Sequence, residues 1–150
     1  MQPILHLSIP VRDLAEAQGF YVGTLGCQAA RVRQSYADVW FFGMQLTLQD
    51  RPDEITPLAD GVSRGSGVTR HFGVTLDRDD FDEAVSRLHQ HDVEWLVPVT
   101  TDDPGTPVEQ TKTKIADPSG NVIELKTYAD VAAALEISTH SYPAALEHGN

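Results

Sequence analysis

From residue 4 the chain alternates. Leu5, Leu7, Ile9 and Val11 fall on one face of a strand over residues 4–11, with Ile4, His6 and Ser8 on the other. The pattern then changes period. In "RDLAEAQGFYVGTLGC", Asp13 and Glu16 fit a helix N-cap and its third residue, Leu14, Ala17, Tyr21 and Leu25 recur at helical spacing, and Gly26 ends the helix. Strand-like segments follow at about 28–34, 36–42 and 43–49. A stretch rich in Pro, Gly, Asp and Ser, "RPDEITPLADGVSRGSG", interrupts the pattern, which then begins again.

In residues 70–77, Phe72, Val74 and Leu76 oppose His71, Gly73 and Thr75. "DDFDEAVSRLHQH" repeats the helix start, with Asp80 and Glu83 in the places of Asp13 and Glu16. Strands at 93–99, 107–116 and 121–128 complete the second half, and a last helix is expected from Asp130 to Glu136. Each half reads β-α-β-β-β, an internal repeat. The expected fold class is α+β: two paired βαβββ modules forming a cupped mixed sheet with helices on the outer face. A single domain is expected, with module one at about 3–50, a linker at 51–68, module two at about 69–128, and a C-terminal helix and tail at 129–150.

The repeat aligns the chain with itself. His6 corresponds to His71, and Gln45, between Met44 and Leu46, corresponds to Glu124, between Ile123 and Leu125. Because residues two apart share a strand face, all four side chains point away from the apolar, helix-covered side and toward a common cleft. One histidine on a polar strand face is ordinarily just half-exposed, and one strand glutamate ordinarily a solvated edge charge. Four such residues at repeat-equivalent positions of matching parity form a 2-His-1-carboxylate set suited to Fe, Mn, Ni, Co or Zn, with the Gln45 amide oxygen as a weaker fourth ligand. Open positions on such an ion would polarise a substrate oxygen or hold a water. Arg31, Arg33, Lys112 and Lys114 lie on strands that border the cleft and are candidate anion clamps, against the ordinary reading of exposed strand-edge charge. His89 and His91 close the second helix, where cations suit its dipole, and His140 and His148 fall in the tail. Trp40, Phe41 and Phe42 read as core or dimer contact.

Composition narrows the partners. A net charge of −11 argues against nucleic acid and against an anionic membrane surface, and no apolar run approaches the roughly 20 residues of a membrane span. The N-terminus lacks a basic region and does not read as a signal peptide, so a cytoplasmic location is expected. Cys27 is the single cysteine, which rules out a disulfide framework and multi-cysteine zinc; it reads as a packed residue at a helix end. "GVSRGSG" lacks the Lys-Ser/Thr ending of a phosphate loop, and there is no Gly-x-Ser-x-Gly elbow.

Together, "LHLSIPVRDLAEAQGFYVGTLG", "RHFGVTL" and "DPSGNVIELKTY" resemble the vicinal oxygen chelate superfamily, which includes glyoxalase I, extradiol dioxygenases, fosfomycin resistance proteins, methylmalonyl-CoA epimerase and bleomycin resistance proteins. The resemblance covers about residues 3–128. It implies that His6, His71 and Glu124 bind a divalent metal chelated by two neighbouring substrate oxygens, and that Gln45 stands where glyoxalases and the epimerase carry a fourth ligand. In ring-cleaving and fosfomycin enzymes a tyrosine stands ten residues before the carboxylate ligand; here that place holds Lys114. The carboxylate base of the epimerase and glyoxalase comes from the middle strands of module one, where residues 28–43 offer Asp38. The expected function is a divalent-metal-dependent glyoxalase/dioxygenase-type enzyme acting on a small oxygen-rich substrate, with Lys112 or Lys114 stabilising developing negative charge and a homodimer as the expected assembly. The alternatives are an epimerase or lyase, or a non-catalytic binding or resistance protein.

Overall fold

In the computed structural model, which describes residues 3–56 and 70–137, the alternating segments form eight strands: β1 His6–Val11, β2 Gln28–Val32, β3 Tyr36–Phe41, β4 Met44–Asp50, β5 Phe72–Thr75, β6 Glu94–Asp102, β7 Gln110–Ala116 and β8 Val122–Tyr128. They make two four-stranded mixed sheets, ordered β1-β4-β3-β2 and β5-β8-β7-β6. In each, the first strand runs parallel to the last and the other pairings are antiparallel. The repeat is therefore realised as two βαβββ modules.

The helices begin where their side chains cap them. Asp13 accepts the Glu16 amide at 2.8 Å and opens α1 (Leu14–Gln18), which loosens into a π-helical turn over Gly19–Thr24. Glu16 does not reach back to the cap; it pairs with Arg12. In the second module the cap is Asp77, which accepts the Asp80 amide at 2.9 Å, so the cap of α2 (Arg78–Leu88) lies three residues before the Asp80 cap that the repeat predicts. Asp77 lies where β5 has just ended, and its extended backbone suits a cap. The last helix, α3, runs Val131–Leu135 behind Asp130. Residues 57–68 of the predicted linker, Thr69, His140 and His148 lie outside the described residues.

The apolar faces of both modules share one core. Tyr21, Phe41, Leu46 and Leu48 pack in the same cluster as Phe81, Leu88, Ile115, Ile123 and Leu125. Burying each such aliphatic side chain contributes about 1.5–3 kcal/mol. Phe41 meets Phe72 across the modules, with ring centres 5.4 Å apart. Polar ties cross the same boundary. The Tyr21 hydroxyl donates to Asp117 at 2.9 Å, the Arg12 amide donates to Ser119, and the Asn121 side-chain amide donates to the Pro10 carbonyl. Burial pushes the Asp117 carboxyl up, against the hydrogen bonds from Asn121, Tyr21 and Ser119 that hold it down. Cys27 is buried, and burial pushes its thiol up to about 12. No helix among the described residues is long and apolar enough to cross a membrane.

Candidate metal centre

Pleating turns the alternate residues of each sheet away from the core. On the first sheet this second face carries His6 and Ser8 from β1, Gln45 and Thr47 from β4, and Asp38 and Trp40 from β3. The register makes His6 the partner of Gln45, and Trp40 its partner on the other side. Asp38 and Thr47 are opposite each other and buried, with the threonine hydroxyl donating at 2.6 Å. Trp40 and Phe42 are partly exposed whereas Phe41 is core, so the aromatic triplet divides between two roles. Phe42 and Gly43 both take positive φ, 45° and 92°, in the tight turn that joins β3 to β4.

On the second sheet the matching face carries Glu124 and Lys126 from β8 and Lys112 and Lys114 from β7. His71 lies just before β5. Its Nε2 stands 3.5 Å from Glu124 Oε2. Lys126 Nζ lies 3.5 Å from that same oxygen, and Lys114 Nζ lies 3.6 Å from Oε1. Further along the same face, toward the β7–β8 turn, Ala116 and Val122 join Leu96 in a small apolar cluster. Gly73 is the register partner of Glu124, and a Cβ there would fall 1.9 Å from the Glu124 carbonyl oxygen. The strands approach this closely only because residue 73 has no side chain.

The structure thus joins His71 to Glu124 and His6 to Gln45, and keeps the two pairs on separate sheets. Among the described residues no three His, Cys, Asp or Glu side chains form one group. The repeat alignment is also offset: His6 faces Gln45 directly, but Glu124 faces Gly73, with the histidine two residues earlier. Parity survives a shift of two, so His71 still points to the correct face. The donor chemistry fits a divalent ion. Imidazole and carboxylate bound to one ion at about 2.1 Å stand about 3.0–3.5 Å apart, and the His71–Glu124 separation is at the upper end of that span.

Other candidates lie elsewhere. Arg31 is exposed on β2, the strand at the sheet edge furthest from β1, and Arg33 follows it, its guanidinium donating to the Val32 carbonyl. His89 is exposed but not merely solvated, since its ring stacks on Trp95 at 4.6 Å. Lys126, which the sequence pattern alone does not single out, stands beside Glu124. The signal available was its parity with Glu124, two residues away on the same strand. A cavity of about 600 Å³, lined by Arg12, Ile55, Asp92 and the turn after Asp117, contains none of the candidate ligands.

Solved structures with this fold include a glyoxalase/bleomycin resistance protein/dioxygenase from Alicyclobacillus acidocaldarius, 33% identical, matched over 85% of this chain and 92% of that one with a TM-score of 0.69. The fosfomycin resistance protein FosX from Listeria monocytogenes is 13% identical, with 85% and 93% covered and a TM-score of 0.64. TioX from Micromonospora sp. ML1 is 16% identical, with 85% and 99% covered and a TM-score of 0.64. At such low identity the last two speak for the fold alone. No curated protein matches the sequence. The family model that does match runs over residues 3–125, from the first strand to one residue past the candidate carboxylate, and the chain belongs to the Glyoxalase/Bleomycin resistance protein/Dioxygenase superfamily.

Proposed function

We propose that the protein is a metal-dependent enzyme of the glyoxalase/dioxygenase type, in which His6, His71 and Glu124 hold a divalent ion, Gln45 adds a weaker bond, and a small substrate is chelated through two neighbouring oxygens. The observation that carries this reading is the His71–Glu124 pair at ligand spacing, set against a His6–Gln45 pair on the equivalent face of the other module. Bound there, an ion of the Fe, Mn, Ni, Co or Zn group would act as a Lewis acid on a substrate oxygen. The two pairs occupy separate sheets, and completion of the set by a second copy of the chain, in a homodimer, accounts for both half-sites facing away from the shared core. Glu124 would ligate while Lys114, its cross-strand partner, keeps a positive charge beside the oxygen where negative charge develops. Lys112, one pairing step further along β7, extends that field.

One observation favours a second reading, epimerase or lyase chemistry. Asp38 is a carboxylate on the middle strand of module one, on the same face as Gln45, with Thr47 orienting one of its oxygens. In that reading Asp38 takes the proton alpha to a carbonyl. A binding or resistance protein without turnover is the non-catalytic alternative. Oxygen uptake during turnover marks dioxygenase chemistry, and Asp38→Asn would abolish proton-abstracting epimerase, lyase or glyoxalase chemistry while leaving a dioxygenase active. A chain without stoichiometric metal, turning over neither class of substrate, leaves the binding protein.

A further inference from the structure

The chain of 150 residues contains three lysines, and all three stand on one face of two neighbouring strands. Lys112 and Lys126 are direct cross-strand partners, and Lys114 is the partner of Glu124. Like charges directly opposite each other destabilise a sheet. In a protein with a net charge of −11, acidic neighbours for a lysine are plentiful elsewhere. This face instead gathers three ammonium groups against two carboxylates, Glu124 and Asp102.

The three are not equivalent. The Lys114 side chain is 10% exposed and committed to Glu124, whereas Lys112 and Lys126 are 31% and 30% exposed. Lys112 is held by Asp102 and by the Gln110 amide oxygen at 3.3 Å, and the Asp102 side chain is half-exposed, so this pair gives way readily to an incoming anion. Lys126 Nζ lies 5.8 Å from the centre of the Tyr128 ring. The Tyr128 hydroxyl accepts the Gln110 side-chain N–H at 2.6 Å, which leaves its own proton to donate. Two long, flexible stems rising from adjacent strand positions can close on one oxyanion from both sides.

We propose that Lys112, Lys126 and Tyr128 form an oxyanion subsite that takes a carboxylate or phosphate-type group of the substrate, beside the Glu124–His71 pair. The position of the substrate's chelating end rests on the function proposed above; anion binding itself does not. The test is calorimetric titration with inorganic phosphate and with acetate, on chelator-treated and on metal-loaded protein. Chelator-treated wild type should bind one of the two anions. Lys112→Met and Lys126→Met should each weaken that binding about tenfold or more, while Lys126→Arg retains it and Glu124→Gln does not weaken it. Preference for phosphate or for acetate names the anion. Failure of the wild type to bind either, or unchanged binding in both methionine variants, overturns the subsite. Metal content read on the same samples keeps the two proposals apart: lysine variants that bind anion normally while the wild type carries metal sink only the subsite, and a metal-free wild type whose lysine variants lose anion sinks only the metal reading.

Discussion

The two sheets present equivalent faces with different chemistry. The first offers His6, Gln45, Ser8, Thr47 and Asp38, a set whose one carboxyl group is buried and hydrogen-bonded. The second offers His71 and Glu124, with the Lys114 and Lys126 ammonium groups beside the carboxylate. One fold therefore holds two unlike candidate pairs. The first is a histidine–amide pair matched by register, and the second is a histidine–carboxylate pair beside the close backbone approach of Gly73 to Glu124. The contrast extends to the turns. The β7–β8 turn is closed by Asp117, which accepts from the Ser119 and Asn121 amides, the Asn121 side chain and Tyr21, whereas the β3–β4 turn is a tight Phe42–Gly43 reversal with no carboxylate.

The largest expected effect breaks that turn. Asp117→Ala strands four donors in a buried site and should lower unfolding stability by about 3 kcal/mol, read by denaturant unfolding, while Phe42→Asn in the opposite turn should change it little. A loss in Asp117→Ala no greater than that in Phe42→Asn would erase the distinction. Next, Gly73→Ala drives a Cβ into the Glu124 carbonyl, and should cost about 2–3 kcal/mol. Ser8→Ala, at the position that the repeat aligns with Gly73, removes an exposed hydrogen bond to Gln49 and should stay within about 0.5 kcal/mol. Equal losses would mean that the close approach of β5 to β8 has no special role.

The smallest effect concerns reactivity. With its thiol pushed up to about 12, Cys27 is thiolate in roughly one molecule in ten thousand at pH 8. Folded protein should therefore resist thiol reagents at that pH and label fully once unfolded. Because burial raises the value, labelling of the folded state should grow only as pH climbs toward that value. Rapid labelling of native protein at pH 8 would contradict the sealed core of the first module.

Much of this was legible in the chain because strand parity survives small errors. Leu46, Leu48, Ile123 and Leu125 are fully buried as the alternation requires, and Gln45 and Glu124 lie on the opposite faces. The register of β5 was not legible, because a two-residue slip leaves every side chain on its face and alternation cannot detect it. Nor was the start of α2, since Asp77, Asp79 and Asp80 all suit a cap and only the end of β5 selects among them. Lys126 was legible only through parity: it lies two residues beyond Glu124 on the same face, and the 3.5 Å approach of its Nζ to Oε2 is set by the fold. Which faces touch was beyond the sequence, because repeat symmetry specifies only which faces are alike.

The central claim is that the two unlike faces supply one ion between them. Elemental analysis of untagged wild type, His6→Ala, His71→Ala and Glu124→Gln tests it most directly. The account predicts about one divalent ion per chain in the wild type and loss of it in every variant, including His6→Ala, whose histidine lies on the other sheet. A wild type without stoichiometric metal, or a His6→Ala protein that keeps its metal while Glu124→Gln loses it, would contradict it.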